Sequence, residues 1–406
     1  MNFDINSMLE KIKYNPNSVK KNYDGKTDIY LAKVSYRYAY FKRILCIILI
    51  VVIALFLFSG SLSYEKLFYL TKDIKLANDH VNSVHDTITY NVGNSQDFAA
   101  YRGGLAVVSR ERLSIFSAGG RELFSANHSL GNPTLAVSNQ YILLYDVGGK
   151  QFSIYNSFSR IKDEKLDYAI YGADMAENSD FALITKNEKH PSVIAVYKQN
   201  GVTYNYYFAS GRVTSVDLSS NGKQLAVVLV HTVGAELHSE LRLYNVGKDT
   251  YSSADITFSG TPYSVEILDN GNVFVVGERG VNAFNSNLNL TGEYLSESEI
   301  YLYSFGKDNI VIADVSGEAG KTQVLLINKR GKIEKQYQLG ERLVNMCVYD
   351  NNLFMQKLGG FERVDLLSGK SYGISMVASD FKMIPIDKDT LVVCNESYAR
   401  FLELKK

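Results

Sequence analysis

The chain has 406 residues, with 43 Lys plus Arg against 43 Asp plus Glu and a formal net charge of zero. At 46% apolar and 21% charged residues, with 30 Gly and 5 Pro, its composition is that of a folded globular protein, not of a disordered or collagenous one. Three Cys exclude a disulfide framework, and the lack of a basic excess argues against a nucleic-acid partner.

The neutral total conceals an asymmetry. Residues 1–43 hold nine basic and four acidic side chains, a net of +5, so the remainder carries −5. Between them, Ile44 to Tyr64 is a run of 21 residues without charge, and Ile44 to Phe58 is apolar throughout. A helix needs roughly 20 apolar residues to cross the hydrocarbon core, and Ile, Leu, Val and Phe each favour insertion by a few tenths of a kcal/mol. The run therefore predicts one transmembrane helix over 44–64. Lys33, Arg37, Lys42 and Arg43 precede it, whereas mixed charges from Glu65 to Lys75 follow it. Positive charge stays in the cytoplasm, which puts the N-terminus inside and the C-terminal bulk outside. Ser59-Gly60-Ser61 offers a peptidase site, but 43 residues before the apolar run exceed an ordinary signal-peptide n-region, so an uncleaved signal-anchor is expected.

The tail before the span opens with polar, Asn-rich turns. From Asp28 it changes to alternating apolar, aromatic and basic residues that suit a helix running into the headgroup zone. After the span, Leu67, Leu70, Ile74 and Ala77 keep helical spacing and predict a short stem. The expected organisation is a cytoplasmic basic tail (1–43), a signal-anchor helix (44–64), a juxtamembrane stem (65–83) and an extracytoplasmic domain (84–406).

That last domain is all-β by pattern: short β-rich runs punctuated by Gly, Asn, Asp and Ser. It is also repetitive. A turn followed by a strongly apolar strand recurs at Leu105–Ser109, Tyr141–Asp146, Phe181–Lys186, Gln224–Val230, Asn272–Gly277, Asn309–Asp314, Leu353–Leu358 and Thr390–Asn395. Marker residues Leu105, Ile142, Ala182, Ala226, Val273, Ile312, Phe354 and Val392 are separated by 37, 40, 44, 47, 39, 42 and 38 residues. A step near 40 is the period of a four-stranded propeller blade. The markers predict an eight-bladed β-propeller, with seven blades the alternative because the steps around the third to fifth markers are uneven. The last unit lacks a fourth strand before the chain stops. Asp86–Val92 is expected to supply it by pairing with Tyr398–Leu404, so that the two ends latch the ring.

The segments Gly103-Gly104-Leu105-Ala106-Val107-Val108 and Asn221-Gly222-Lys223-Gln224-Leu225-Ala226-Val227-Val228 resemble quinoprotein-like and WD-repeat-like propellers. The chain departs from both signatures because it has no Trp. Its full layout, carried by Tyr64-Glu65-Lys66-Leu67-Phe68-Tyr69-Leu70 and by Tyr101-Arg102-Gly103-Gly104-Leu105-Ala106-Val107-Val108, resembles an uncharacterised family of single-pass Gram-positive membrane proteins. That resemblance implies a propeller outside the cell and brings no activity with it.

Chemistry is sparse in the text. His80, His85, His128, His190, His231 and His238 are scattered, and only His231 and His238, flanking an expected solvated loop, approach a cluster. Gly369-Lys370-Ser371-Tyr372-Gly373 matches GxSxG but sits in a hairpin with no helix after it, which reads as chance. Cys347 and Cys394 read as small buried hydrophobes in neighbouring units, and Cys46 as part of the membrane helix. Glu236, Glu240, Glu297 and Glu299 read as solvated surface. Asp146, Asp217, Asp314 and Asp365 fall near strand ends, where Asp commonly satisfies turn backbone. No catalytic, cofactor-binding or metal residue is assigned and no cofactor is expected. The expected role is a non-enzymatic protein-interaction scaffold in the cell envelope, partnered by the lipid bilayer and by envelope proteins or cell-wall components. The alternative is a ligand sensor or carbohydrate-active enzyme using the propeller channel, which a ring of convergent carboxylates or His lining the channel mouth would favour.

Overall fold

The computed structural model describes residues 38–50, 87–90, 95–117, 120–315, 321–376 and 382–404. The chain divides into two compact units, residues 1–76 and 77–406.

In the first unit, residues 38–50 form a helix whose side chains are all exposed, among them Phe41 at 63% and Ile50 at 65%. Among the described residues no helix is long and apolar enough to cross a membrane. The expected span over 44–64 begins within this helix. Its remainder, residues 51–64, and the stem at 65–83 lie outside the described residues, as does most of the tail.

The second unit is a ring of eight four-stranded antiparallel sheets. Blade 1 consists of strands Ser95–Tyr101, Gly104–Ser109, Arg112–Phe116 and Glu122–Asn127, paired in that order. Blades 2 to 7 repeat this meander over 133–165, 172–208, 212–255, 262–295, 300–339 and 345–375. The first strands are innermost and approach one another at seven of the eight junctions, blades 8 and 1 included, while blades 5 and 6 join through a shared apolar cluster, so the ring is closed.

Local chemistry explains each strand's place. Second strands such as Gly104–Ser109 are buried at every residue and are almost wholly apolar, since both faces meet a neighbouring blade. Outer strands such as Arg160–Lys165 alternate exposed and half-buried charged residues. Between blades 1 and 2 the apolar layer contains Ala106, Val108, Ile115, Ile142 and Leu144, and one such cluster fills each of the eight blade interfaces. Complete burial of one such aliphatic side chain is worth roughly 1.5–3 kcal/mol. The tight hairpin in blade 1 turns on Arg102 (φ 54°) and Gly103 (φ 74°), the left-handed pair that a two-residue turn of twisted strands requires.

Blade 8 is made from both ends of the domain. Its inner strands are Lys382–Pro385, Thr390–Cys394 and Tyr398–Glu403, and its outermost strand is Thr87–Thr89. The pairs are Thr87 with Arg400, Ile88 with Ala399 and Thr89 with Tyr398, the latch expected from the sequence. Ile88 and Tyr90 plug the cluster between blades 8 and 1, and the Tyr90 hydroxyl donates to the Asn395 carbonyl at 2.6 Å.

Eight blades resolve the alternative left by the uneven steps. The 47-residue step arises because blade 4 carries strands of ten residues, Gln224–Val233 and Glu236–Asn245, where most blades use five to seven. This corrects the expected loop between His231 and His238. The two residues are cross-strand partners, joined by a turn in which Gly234 has φ 65°.

Candidate functional site in the central channel

Each innermost strand has one edge with no strand beside it, so its backbone N–H groups need partners from elsewhere. The preceding blade supplies them. Leu135 N donates to Asp97 Oδ2 at 2.9 Å, Leu218 N to Asp174 Oδ2 at 2.8 Å, and Ile267 N to Asp217 Oδ2 at 2.6 Å. Hydroxyls do the same work elsewhere: Val265 N donates to Ser215 Oγ at 3.2 Å and Val348 N to Ser304 Oγ at 2.9 Å. At the closing interface, the Lys382 ammonium pairs with the Asp97 carboxylate.

This arrangement gathers carboxyl groups on three consecutive inner strands: Asp174 in blade 3, Asp217 in blade 4 and Glu266 in blade 5. Burial, offset in part by the Leu218 and Met175 amides, pushes Asp174 up to about 6. Burial, together with the charges of Asp174 and Glu266, holds Asp217 well above the usual carboxylate range. Burial and the charges of Asp174 and Asp269 push Glu266 up to about 7. Asp217 is 8% exposed, whereas Asp174 and Glu266 keep part of their surface open. Neighbouring strands crowd both side chains enough to dehydrate them despite that opening. Unlike the two aspartates, Glu266 caps no backbone group. Between blades 5 and 6, Tyr263 and Tyr303 stack with centroids 6.3 Å apart, and Tyr303 meets Phe305 edge-on at 5.8 Å. The arc therefore keeps its protons to a higher pH than free carboxyls do. Among the described residues no group of His, Cys, Asp and Glu is arranged to hold a metal ion.

The residues singled out in the sequence fall elsewhere, with one exception. Asp217 does satisfy backbone, but that of the next blade's inner strand. Asp146 and Asp365 serve turns as expected, accepting from Asn132 N at 2.7 Å and from Leu367 N and Ser368 N at 2.9 and 2.8 Å. Asp314 instead accepts the Tyr294 and Ser296 hydroxyls at 2.7 and 2.8 Å. Glu240 is strand rather than loop and pairs with Arg242 at 2.8 Å, while Glu236 is exposed at the hairpin tip. Ser371 begins the outer strand Ser371–Ser375 of blade 7, away from the channel. Cys347 and Cys394 are free thiols in neighbouring blades, and burial pushes Cys347 up to about 12. Asp174 and Glu266 were not foreseen. Their signal was a carboxylate set among core residues of a first strand, in Gly172–Met175 and Pro262–Ile267.

A family model described as a family of unknown function, DUF5711, matches residues 77–404, the whole of the described ring. The chain belongs to DUF5711. No curated protein matches this DUF5711 chain in sequence. Among solved structures, Sqt1 of Saccharomyces cerevisiae is similar at 11% identity and a TM-score of 0.56, covering 78% of this chain and 98% of that one. BamB of Moraxella catarrhalis is similar at 11% identity and a TM-score of 0.52, covering 79% of this chain and 99% of that one. Such likenesses speak to fold alone. The DUF5711 ring is an eight-bladed β-propeller.

Proposed function

We propose that this chain is a membrane-anchored, extracytoplasmic propeller that works as a non-enzymatic protein-interaction scaffold in the cell envelope. The observation that carries the scaffold reading is the long hairpin of blade 4. Its flanking strands end opposite Val230 and Glu240, so residues 231–239 stand beyond the sheet. At its tip Val233 is 55% and Leu237 57% exposed, beside free strand edges of the kind that capture a partner's chain. Anchoring is supported by the exposed apolar helix at 38–50, the uncharged run to Tyr64 and the cations before it. The bilayer and envelope proteins or cell-wall components are the proposed partners, with the N-terminus cytoplasmic.

The test is a photo-crosslinking residue at Leu237 in the full chain within cells, with Ile161 on an outer strand as the control. A discrete adduct at Leu237 only is expected; equal or no adducts at the two positions would refute the scaffold. Alkaline extraction tests the anchor, since release of the chain into the soluble fraction would contradict it.

One observation favours the second reading, a channel ligand or carbohydrate-active site: Glu266 is a half-buried carboxyl on an innermost strand that caps no backbone group. Turnover of a glycan that Glu266→Gln abolishes would make this reading the first.

A further inference from the structure

The ring has two unlike faces. Strands alternate in direction within each blade, so the turns from first to second strand and from third to fourth strand share one face. The hairpins from second to third strand, the long one at 231–239 among them, lie on the other. Thr87–Thr89 is the fourth strand of blade 8 and runs antiparallel to the third, with Thr87 opposite Arg400 and Thr89 opposite Tyr398. A fourth strand starts on the turn face. The chain therefore enters the ring on that face, and the blade 4 hairpin stands on the opposite one.

The turn face carries a basic patch on blades 6 and 7. In blade 6 the third and fourth strands are joined through Asn328-Lys329-Arg330-Gly331-Lys332, where Asn328 Oδ1 accepts from Arg330 N at 2.9 Å and Lys332 N at 3.2 Å. That cap turns the backbone and leaves the Lys329, Arg330 and Lys332 side chains exposed, as is Lys307 in the blade's other turn. Asp308 answers one of these charges by pairing with Lys329 at 3.4 Å. The neighbouring turn of blade 7, residues 365–370, adds an exposed Lys370. The Lys335 ammonium donates to the Leu366 and Leu367 carbonyls and so ties the two turns together. Asp365 is folded back onto the Leu367 and Ser368 amides, which leaves Asp350 as the other exposed acid of these turns.

Leu367 rises from the middle of this patch. Its neighbour Leu366 is 3% exposed and packs between blades 6 and 7, whereas Leu367 is 75% exposed, more than any other large apolar side chain among the described residues. Closing the turn does not require a leucine there, because Asp365 and Gly369 (φ 72°) do that. An apolar side chain set among cations matches a bilayer surface, where cations meet lipid phosphates and the apolar group enters the acyl boundary.

We infer that the turn face of blades 6 and 7 rests on the anionic headgroups of a bilayer. Arg330, Lys332 and Lys370 meet the lipid phosphates, and Leu367 enters the acyl boundary. The blade 4 hairpin then points away from the bilayer, open to a partner. The inference rests on the anchoring reading, yet fails separately from it, because alkaline extraction reads the anchor whichever way the ring lies.

The test places the full chain in phosphatidylcholine vesicles, with or without phosphatidylglycerol, that carry a nitroxide quencher on their headgroups. In a Cys46→Ser background a fluorophore is attached at Ser368→Cys, beside Leu367, or at Ala235→Cys, at the tip of the blade 4 hairpin. With phosphatidylglycerol the Ser368 label should be quenched several-fold more than the Ala235 label, and added salt should relieve the difference. Lys329→Glu combined with Lys332→Glu should weaken the quenching several-fold, and Leu367→Ser should weaken it less. Should the double variant melt early, Lys370→Glu takes its place. Equal quenching of the two labels, quenching that ignores phosphatidylglycerol, or quenching untouched by every variant would overturn the proposal. So would a Ser368 label that the bilayer leaves unquenched but soluble polyphosphate shields, which would assign the patch to a soluble polyanion.

Discussion

Blades 3 to 5 and blades 6 to 7 solve the same problem in different chemistry. Each must satisfy an unpaired N–H on the next blade's inner strand. Ser304 does so for Val348 with a neutral hydroxyl, whereas Asp174 and Asp217 do so for Leu218 and Ile267 with carboxyls that crowd one another and Glu266. A hydroxyl therefore suffices for the cap, and the acidic arc carries more charge than the fold needs. The surplus is clearest in Glu266, which caps nothing and has its pKa raised chiefly by burial.

Both arcs depend on ring closure, so the largest expected effect comes from the latch. Ile88→Asp places an unpaired charge in the cluster between blades 8 and 1, where Ile88 is 4% exposed. It should erase the single cooperative melt in calorimetry; a melt like that of the parent would show that closure does not depend on this strand.

Within the closed ring the two arcs should respond to pH in opposite degrees. A carboxyl whose folded pKa is raised contributes fully below its unfolded value, roughly pH 4, and that contribution is lost as pH rises through the folded value. With Asp174 at about 6 and Glu266 at about 7, stability should fall between pH 4 and 8. Glu266→Gln removes its share, so at pH 8 it should stabilise the chain by about 2 kcal/mol in urea titrations and be nearly neutral at pH 4. Destabilisation at pH 8 would mean that Glu266 holds a cation.

Asp217→Ser transplants the hydroxyl solution into the acidic arc. It should preserve the Ile267 cap and cut the pH slope further, whereas Asp217→Ala should cost about 1–3 kcal/mol by leaving that N–H unpaired. Smallest is Ser304→Ala, about 1 kcal/mol and independent of pH, because no titrating group is lost.

The sequence made the ring legible because the buried second strands announce themselves: Leu105–Ser109 and Gln224–Val230 are apolar runs after turns of Arg102-Gly103 and Asn221-Gly222. Closure was legible for the complementary reason, a final unit one strand short and a spare β-rich run at Asp86–Val92. The acidic arc was not. Asp174 and Asp217 are 43 residues apart, and Glu266 lies 49 further on. Only the stagger of adjacent blades decides whether a carboxylate on a first strand meets the channel, a turn or its neighbour. His231 and His238 flank a strand hairpin rather than a loop, and Thr232, Val233 and Leu237 alternate too briefly to reveal that two strands run on past their neighbours.

Cysteines at Thr89 and Tyr398, cross-strand partners between the first and last strands of the ring, test closure most directly in a background with Cys46→Ser. Mild oxidation should give a rapid intramolecular disulfide in monomeric chain and raise the thermal midpoint. Cross-links that form only between chains, or not at all, would contradict a ring fastened by its own beginning.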